Sequence, residues 1–240
     1  MGVTVDLNIN VFEMEIPVQR EIERIGNYYT VSFSPKIHSF KQIFFKRVMD
    51  IVGAIVGLLI TGIVTVFLAP ALLIESPGPL FFSQVRVGKN GRRFKMYKFR
   101  SMYMDAEERK KELMSQNEME GLMFKMENDP RVTKVGKFIR KTSIDELPQF
   151  WNILKGEMSL VGTRPPTEDE FLQYEGYHRR RLNMTPGLTG LWQVSGRSDT
   201  KNFEEIVAMD VEYIDNWSLK EDIKILFKTV GVVLKGKGAS

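Results

Sequence analysis

Apolar residues crowd one stretch of this chain. From Ile51 to Ile74 no charge interrupts the run, about 24 positions. At roughly 1.5 Å per residue, a helix of that length matches a hydrocarbon layer of roughly 30 Å. Downstream the pattern changes to short alternating runs. Phe81 to Val87 and Phe94 to Phe99 read as strands around the turn Gly88-Lys-Asn-Gly91, which predicts a β-hairpin. Helical spacing then takes over. Asp105 to Met126 is charged and helix-prone, with Glu107 and Lys111 four apart, and Asn128-Asp-Pro130 ends it. Glu168 to Asn183 reads as a helix that becomes basic at Arg179, Arg180 and Arg181, and Phe203 to Trp217 as another. Ile223, Leu226, Phe227, Val230, Val233 and Leu234 recur at helical spacing, a stripe that packing explains by default. Lys235 and Lys237 beside it also suit a helix lying in a membrane interface. Met1 to Phe40 is irregular, with a weak alternation at Val3, Val5 and Leu7, and reads as an appendage.

The flanks of the apolar run set its topology. Lys41, Lys46 and Arg47 precede it; Arg86, Lys89, Arg92, Arg93, Lys95, Lys98 and Arg100 follow. The positive-inside rule places both flanks in the cytoplasm. A straight span cannot satisfy that, whereas a bent, re-entrant hairpin can. Its break is expected near Thr61-Gly62, with Pro70 as a later weak point. Asp50, near Lys46 and Arg47, is expected to complete an anchor at the boundary. The expected fold is α+β and mostly helical. It comprises an appendage (1–40), a re-entrant membrane anchor (41–75) and a cytoplasmic globular domain (76–240) with a small β-hairpin and interfacial amphipathic helices.

The chain has 240 residues and a net charge of +4, a basic excess that suits phosphate-bearing partners. It has no cysteine, which excludes disulfides and thiolate metal sites. Its two histidines, His38 and His178, form no zinc pattern; His38 reads as a loop residue and His178 as a helix-surface residue. The long apolar run and the lack of a nucleic-acid motif count against a nucleic-acid binder.

The chemistry concentrates in Lys141-Thr-Ser-Ile-Asp-Glu-Leu-Pro-Gln-Phe-Trp-Asn152. Adjacent acids, Asp145 and Glu146, lie among Arg131, Lys134, Lys137, Arg140, Lys141, Lys155 and Arg164. Such a cluster suits phosphate handling with a divalent metal: one acid as nucleophile, the other on Mg²⁺, arginines on phosphate oxygens. A structural reading stands beside it. Ser143-x-x-Glu146 is a capping-box pattern, Asp145 would favour the helix dipole, and Pro148 suits a first turn. Lys98 and Arg100 suit either an anion or a solvated strand edge. Gly162-Thr-Arg-Pro-Pro166 presents Arg164 on a rigid loop, for a phosphate, a base or a plain turn. Thr185 to Arg197, rich in small or kinked positions around Trp192, can approach a ligand closely.

Several of these segments together resemble the bacterial sugar transferases, the monotopic phosphoglycosyl transferases. They are Lys46-Arg-Val-Met-Asp50, Ser76-Pro-Gly-Pro-Leu-Phe-Phe-Ser-Gln84, Tyr97-Lys-Phe-Arg-Ser-Met102, Ser143-Ile-Asp-Glu-Leu-Pro-Gln149, Met158-Ser-Leu-Val-Gly-Thr-Arg-Pro165 and Pro186-Gly-Leu-Thr-Gly-Leu-Trp-Gln193. The match runs from about Phe45 to the C-terminus. The resemblance implies an enzyme on the cytoplasmic face of the bacterial membrane. It would move a sugar-1-phosphate from a UDP-sugar, glucose or galactose first, to polyprenyl phosphate with release of UMP. That step begins capsule or exopolysaccharide synthesis. The resemblance makes Asp145 the nucleophile of a phosphosugar–aspartyl intermediate and Glu146 the Mg²⁺ ligand. It places Arg140, Arg164 and either Lys98 or Arg100 on the donor phosphates, and Pro165 and Gln193 among the substrate-binding positions. A homodimer is a further expectation. The rival readings are a non-catalytic assembly protein of a polysaccharide machine and a conventional glycosyltransferase that releases UDP.

Overall fold

The computed structural model describes residues 18–25, 28–35, 39–113, 121–122, 126, 129–195 and 202–234. The chain divides into two compact units, 1–40 and 41–240. In the first, the stretch read as irregular is an antiparallel hairpin of β1 (Val18–Ile25) and β2 (Tyr28–Pro35), with Ile25 opposite Tyr28. The alternation at Val3 to Leu7 and His38 lie outside the described residues, as do Lys235 and Lys237.

The second unit opens with α1 (Phe40–Glu75), 36 residues long. Among the described residues it is the one helix long and apolar enough to cross a membrane. The expected break is not formed, and α1 runs unbroken through Gly62 and Pro70. Thr61 shows why. Its Oγ1 bonds the Gly57 carbonyl at 2.7 Å and the Leu147 carbonyl at 3.2 Å, pinning that turn to the rest of the unit.

Lys46, Asp50, Ala54, Gly57, Thr61 and Leu72 are buried at helical spacing, with Val64 and Leu68 half-buried between them. Lys46 Nζ reaches Asp222 (2.6 Å) and the Val161 carbonyl (2.9 Å). Arg47 donates to the Ile153 and Leu154 carbonyls. Asp50 accepts from Ser159 Oγ and Leu160 N, both at 2.9 Å. The Phe150 ring fills the space a side chain at position 57 would need, so glycine is required there. At the far end the Glu75 carboxylate accepts from the Lys134 and Val135 amides. The Lys46–Asp50 motif therefore anchors the helix to the protein body. The opposite face is apolar and open: Leu59 is 67% exposed, Val66 70% and Phe67 78%.

The expected hairpin is present as β3 (Phe81–Val87) and β4 (Arg93–Phe99), antiparallel, with Phe82 opposite Lys98. At its turn Asn90 and Gly91 take positive φ (55° and 77°), the conformations that asparagine and glycine tolerate best. Then follow α2 (Ala106–Leu113), α3 (Lys134–Lys141), a 3₁₀ turn at Ile144–Glu146, and α4 (Gln149–Lys155). The charged helix expected to reach Met126 is described only over α2; residues 114–120 and 123–125 lie outside the described residues.

Two further strands, β5 (Ser159–Val161) and β6 (Gly187–Thr189), pair in parallel. Between them the helix expected from Glu168 to Asn183 is two pieces, α5 (Glu168–Leu172) and a 3₁₀ helix at His178–Asn183. After β6 come α6 (Leu191–Val194), α7 (Phe203–Asp215) and α8 (Leu219–Leu234). The main core joins Ala54, Ile153, Met158, Val161, Tyr213, Trp217 and Ile225. His178, expected on a surface, is buried at 7% exposure; its Nδ1 accepts from the Glu175 amide and its Nε2 meets Glu204 at 2.9 Å.

Candidate active site

The acid pair sits in a tight turn. Ser143 adopts a left-handed conformation (φ 55°) and makes no side-chain cap bond, so the capping box suggested at Ser143–Glu146 is not formed. A capping box does form at Thr167 and Glu170, where the pattern T-x-x-E also occurs. Released from capping, Glu146 extends its Oε1 to Lys98 Nζ at 2.6 Å, and the same ammonium lies 3.7 Å from Asp145 Oδ2. Lys98 reaches them from β4, which passes beside the turn. Asp145 is only 6% exposed. Burial raises its carboxyl above the usual carboxylate range and the neighbouring Glu146 charge adds to that, while Lys98 and Arg140 oppose it.

Arg140 and Arg86 lie within electrostatic range of the acids, and Arg164 lies beside Arg86. Arg140 leaves the last turn of α3 and bonds Ser101 Oγ through Nε at 2.9 Å. Burial lowers its pKa, and the attraction of Asp145 is the largest influence in the other direction. Arg164 rises from the loop after β5 and faces the Glu170 carboxylate at 3.4 Å. That loop is rigid: Gly162 N donates to the Thr189 carbonyl, Gly187 N to the Thr163 carbonyl, and Thr163 Oγ1 to the Arg181 carbonyl. At Gly162 a side chain would collide with the backbone of residues 185–187.

Arg86, on β3, is the third arginine. Its guanidinium donates to the Pro165 carbonyl (3.1 Å) and to Gln84 Oε1 (2.8 Å), while Nε is buried with no partner. Burial and the like charge of Arg164 push its pKa down to about 10, with Glu170 and Glu146 pulling the other way. From sequence Arg86 counted only as a flanking cation. Its β-strand register, two residues from Gln84 on the same face, was the available signal.

Of the two basic positions expected near the acids, Lys98 is at them. Arg100 is engaged elsewhere: it is 6% exposed and donates to the Ser76 and Pro77 carbonyls, locking the turn that ends α1. Gln193, on α6, and Glu146 both line one cavity of about 340 Å³. Pro165 contributes its carbonyl to Arg86. Lys46, Arg47 and Asp50 hold α1 as described, whereas nothing lies against Gly62.

Among the described residues no cluster of three or more histidine, aspartate or glutamate side chains could cage an ion. Two adjacent carboxylates do fit Mg²⁺, which commonly takes one or two protein carboxylates and completes its shell with substrate phosphates and water. The site thus combines a buried carboxylate, a second carboxylate fit for a metal, and four cations from separate elements. Chemically, it can receive a polyanion and present a nucleophilic oxygen to it.

Comparison with known proteins gives the family. The model of the bacterial sugar transferase family matches residues 41–236. The chain is 54% identical over 239 residues to the galactosyl transferase CpsE of Streptococcus agalactiae, covering all of this chain and 53% of that protein. It is 46% identical over 200 residues to the undecaprenyl-phosphate galactose phosphotransferase of Salmonella typhimurium, covering 82% of this chain and 42% of that one. It is also 41% identical over 198 residues to the exopolysaccharide production protein ExoY of Rhizobium meliloti, covering 81% and 87% respectively. The chain spans about half the length of the first two relatives. With the match extending from α1 to α8 and enclosing the whole acid-pair site, the chain belongs to the bacterial sugar transferase family.

Proposed function

We propose that this protein transfers a sugar-1-phosphate from a UDP-sugar to polyprenyl phosphate, releasing UMP, and so begins the assembly of a surface polysaccharide. The observation that carries the reading is the buried Asp145 beside Glu146, with Lys98 on both, Arg140 and Arg86 within electrostatic range of the pair, and Arg164 beside Arg86. Galactose is the preferred sugar, because two of the relatives described above carry it in their names.

Phosphoryl transfer needs alignment and charge neutralisation more than elaborate acid–base chemistry. In the first step an Asp145 carboxylate oxygen attacks the phosphorus that bears the sugar. The bond from that phosphorus to the UMP oxygen breaks, and UMP leaves with the electron pair. In the second step an oxygen of the lipid phosphate attacks the same phosphorus. The bond to Asp145 breaks, the carboxylate is restored, and a lipid diphosphate sugar departs. Burial suits Asp145 to this role, since a desolvated carboxylate is the stronger nucleophile once ionised, and Lys98 favours the ionised form. Arg140 and Arg164 bind the donor phosphates, with Arg86 bracing the Arg164 loop. Glu146 would hold Mg²⁺, which when bound spreads charge over the diphosphate.

The length and open apolar face of α1 support a membrane arrangement. Its 36 residues span about 54 Å, well beyond a hydrocarbon core of roughly 30 Å. Side chains from Lys46 to Glu75 touch the protein body, so a perpendicular crossing would draw that body into hydrocarbon. Seating α1 in one leaflet, with its open apolar face in the lipid and both ends on the cytoplasmic side, avoids this cost. It also holds the acid pair near the headgroups.

The test is nucleotide release from purified protein in nanodiscs with Mg²⁺, polyprenyl phosphate and a panel of UDP-sugars. The proposal requires lipid-dependent UMP, largest with UDP-galactose. UDP as the product identifies a conventional glycosyltransferase, and no nucleotide from any donor supports the non-catalytic reading.

A further inference from the structure

The cavity that Glu146 and Gln193 share is mostly apolar. Ile144, Leu147 and Phe150 form one side, and Leu226, Val230 and Val233 of α8 the other. Its volume of about 340 Å³ is that of a small ligand pocket. None of Lys98, Arg86, Arg140 and Arg164 lines it. The donor-phosphate cations thus stand outside the cavity's lining, and Glu146 touches both Lys98 and the cavity. A sugar nucleotide, polar along its length, has no group suited to such a chamber.

Its polar lining has one cation, Lys141, together with Ser143, Gln193, Glu146 and three threonines. Its outer wall is continuous with exposed hydrocarbon: Val230 is 58% and Val233 42% exposed, and Phe227 beside them is 76% exposed. An apolar path thus runs from the outer strip of α8 to the carboxylate that neighbours the nucleophile. An amphiphile with a branched hydrocarbon chain and one anionic head matches both ends of it.

We infer that this cavity seats the isoprenoid chain next to the phosphate of the lipid acceptor, with Lys141 at the head and α8 as the wall through which the chain enters from the bilayer. The inference rests on the transfer reaction proposed above. It adds a division of labour: the arginine side takes the nucleotide and the α8 side takes the lipid. A cavity this small admits only the units nearest the phosphate, and the remainder of the chain stays in the membrane.

The experiment is photo-crosslinking of the full protein in nanodiscs with a polyprenyl phosphate carrying a diazirine in its first isoprene unit. Labelled peptides are mapped by mass spectrometry. Label on residues 226–233 or 144–150, competed by unlabelled polyprenyl phosphate and lost in Val230→Trp, is the expected result. Label confined to other surfaces, such as the open face of α1, overturns the inference, as does a cavity that protein fills so that these residues stay unlabelled. This readout needs no turnover, so it stands apart from the UMP assay that tests the reaction itself. A kinetic arm sharpens it. Val230→Trp is expected to raise the KM for polyprenyl phosphate on the order of tenfold, about 1.4 kcal/mol. Phe227→Leu, on the same helix but off the cavity, keeps the wild-type KM. Equal effects of the two variants would reduce α8 to a general membrane contact and overturn the inference.

Discussion

Two buried aspartates in this protein sit beside cations and serve opposite ends. Asp210 on α7 meets Arg181 at 2.7 Å, with both side chains 1% exposed, and Arg181 also donates to the Tyr174 hydroxyl at 2.6 Å. Burial works to discharge Arg181, but the Asp210 charge and hydrogen bond, with Tyr174 and Glu170, together outweigh it and hold the guanidinium above its usual value. Every charge there is matched, so nothing remains to act on a ligand. Asp145 is nearly as buried, yet its cation is shared. Lys98 lies closer to Glu146 than to Asp145, leaving two carboxylates for one ammonium. Full pairing makes a fastener. Incomplete pairing next to solvent leaves interaction capacity for a substrate.

The largest effects should separate the two clusters. Asp145→Asn is expected to cut turnover by about 10⁴-fold or more, the scale for losing a nucleophile. It should not weaken the fold. A carboxyl raised by folding contributes stability that is fully present below its unfolded pKa and lost as pH rises through the folded value. At neutral pH ionised Asp145 therefore costs stability, and the amide removes that cost. Thermal unfolding should show Asp145→Asn at or above wild type at neutral pH, with the gap closing in acid. Burial raises the Asp210 carboxyl as well, but there the amide leaves Arg181 buried without its carboxylate, so Asp210→Asn should destabilise by roughly 3–5 kcal/mol. If both variants lowered the melting temperature alike, the contrast would fail.

Next in size are the phosphate cations. Arg164→Ala and Arg140→Ala should each raise the KM for the UDP-sugar, by about tenfold or more for a charged hydrogen bond worth roughly 1.5–3 kcal/mol. A smaller, directional effect is expected at Lys98. Lys98→Met removes a charge that lowers the Asp145 pKa, so the acid limb of the kcat/KM pH profile should move to higher pH. An unmoved limb would separate Lys98 from the nucleophile. The smallest effect belongs to Thr167→Ala, which removes the cap of α5 and should cost about 1 kcal/mol of stability.

Periodicity made the regular elements legible. The β3–β4 hairpin, α7 and α8 lie where their patterns put them. The acid pair was legible because two adjacent carboxylates among cations are unusual. What sequence missed was decided by distant contacts. No local signal told that the capping box would form at Thr167 rather than Ser143, since both satisfy T/S-x-x-E. The outcome depends on Lys98 claiming Glu146 from 48 positions away. Arg100 and Lys98 looked equivalent along the strand, but the carbonyls that hold Arg100 belong to the turn after α1. The parallel pairing of β5 and β6 joins three-residue strands too short to show a period. In β2 the sequence does carry the strand period, since Tyr29, Val31 and Phe33 alternate with Thr30 and Ser32. At Thr61-Gly62 composition suggested a break, and the bond from Thr61 to Leu147 shows tertiary structure overriding it.

The central claim is that Asp145 carries the sugar phosphate between two substrates. Isotope exchange tests it most directly: radiolabelled UMP is incubated with UDP-galactose, Mg²⁺ and the purified protein, without lipid acceptor. A two-step reaction through Asp145 predicts label entering UDP-galactose in the wild type and none in Asp145→Asn. Exchange that persists in Asp145→Asn, or is absent from a wild-type protein that still releases UMP when lipid is added, would contradict it.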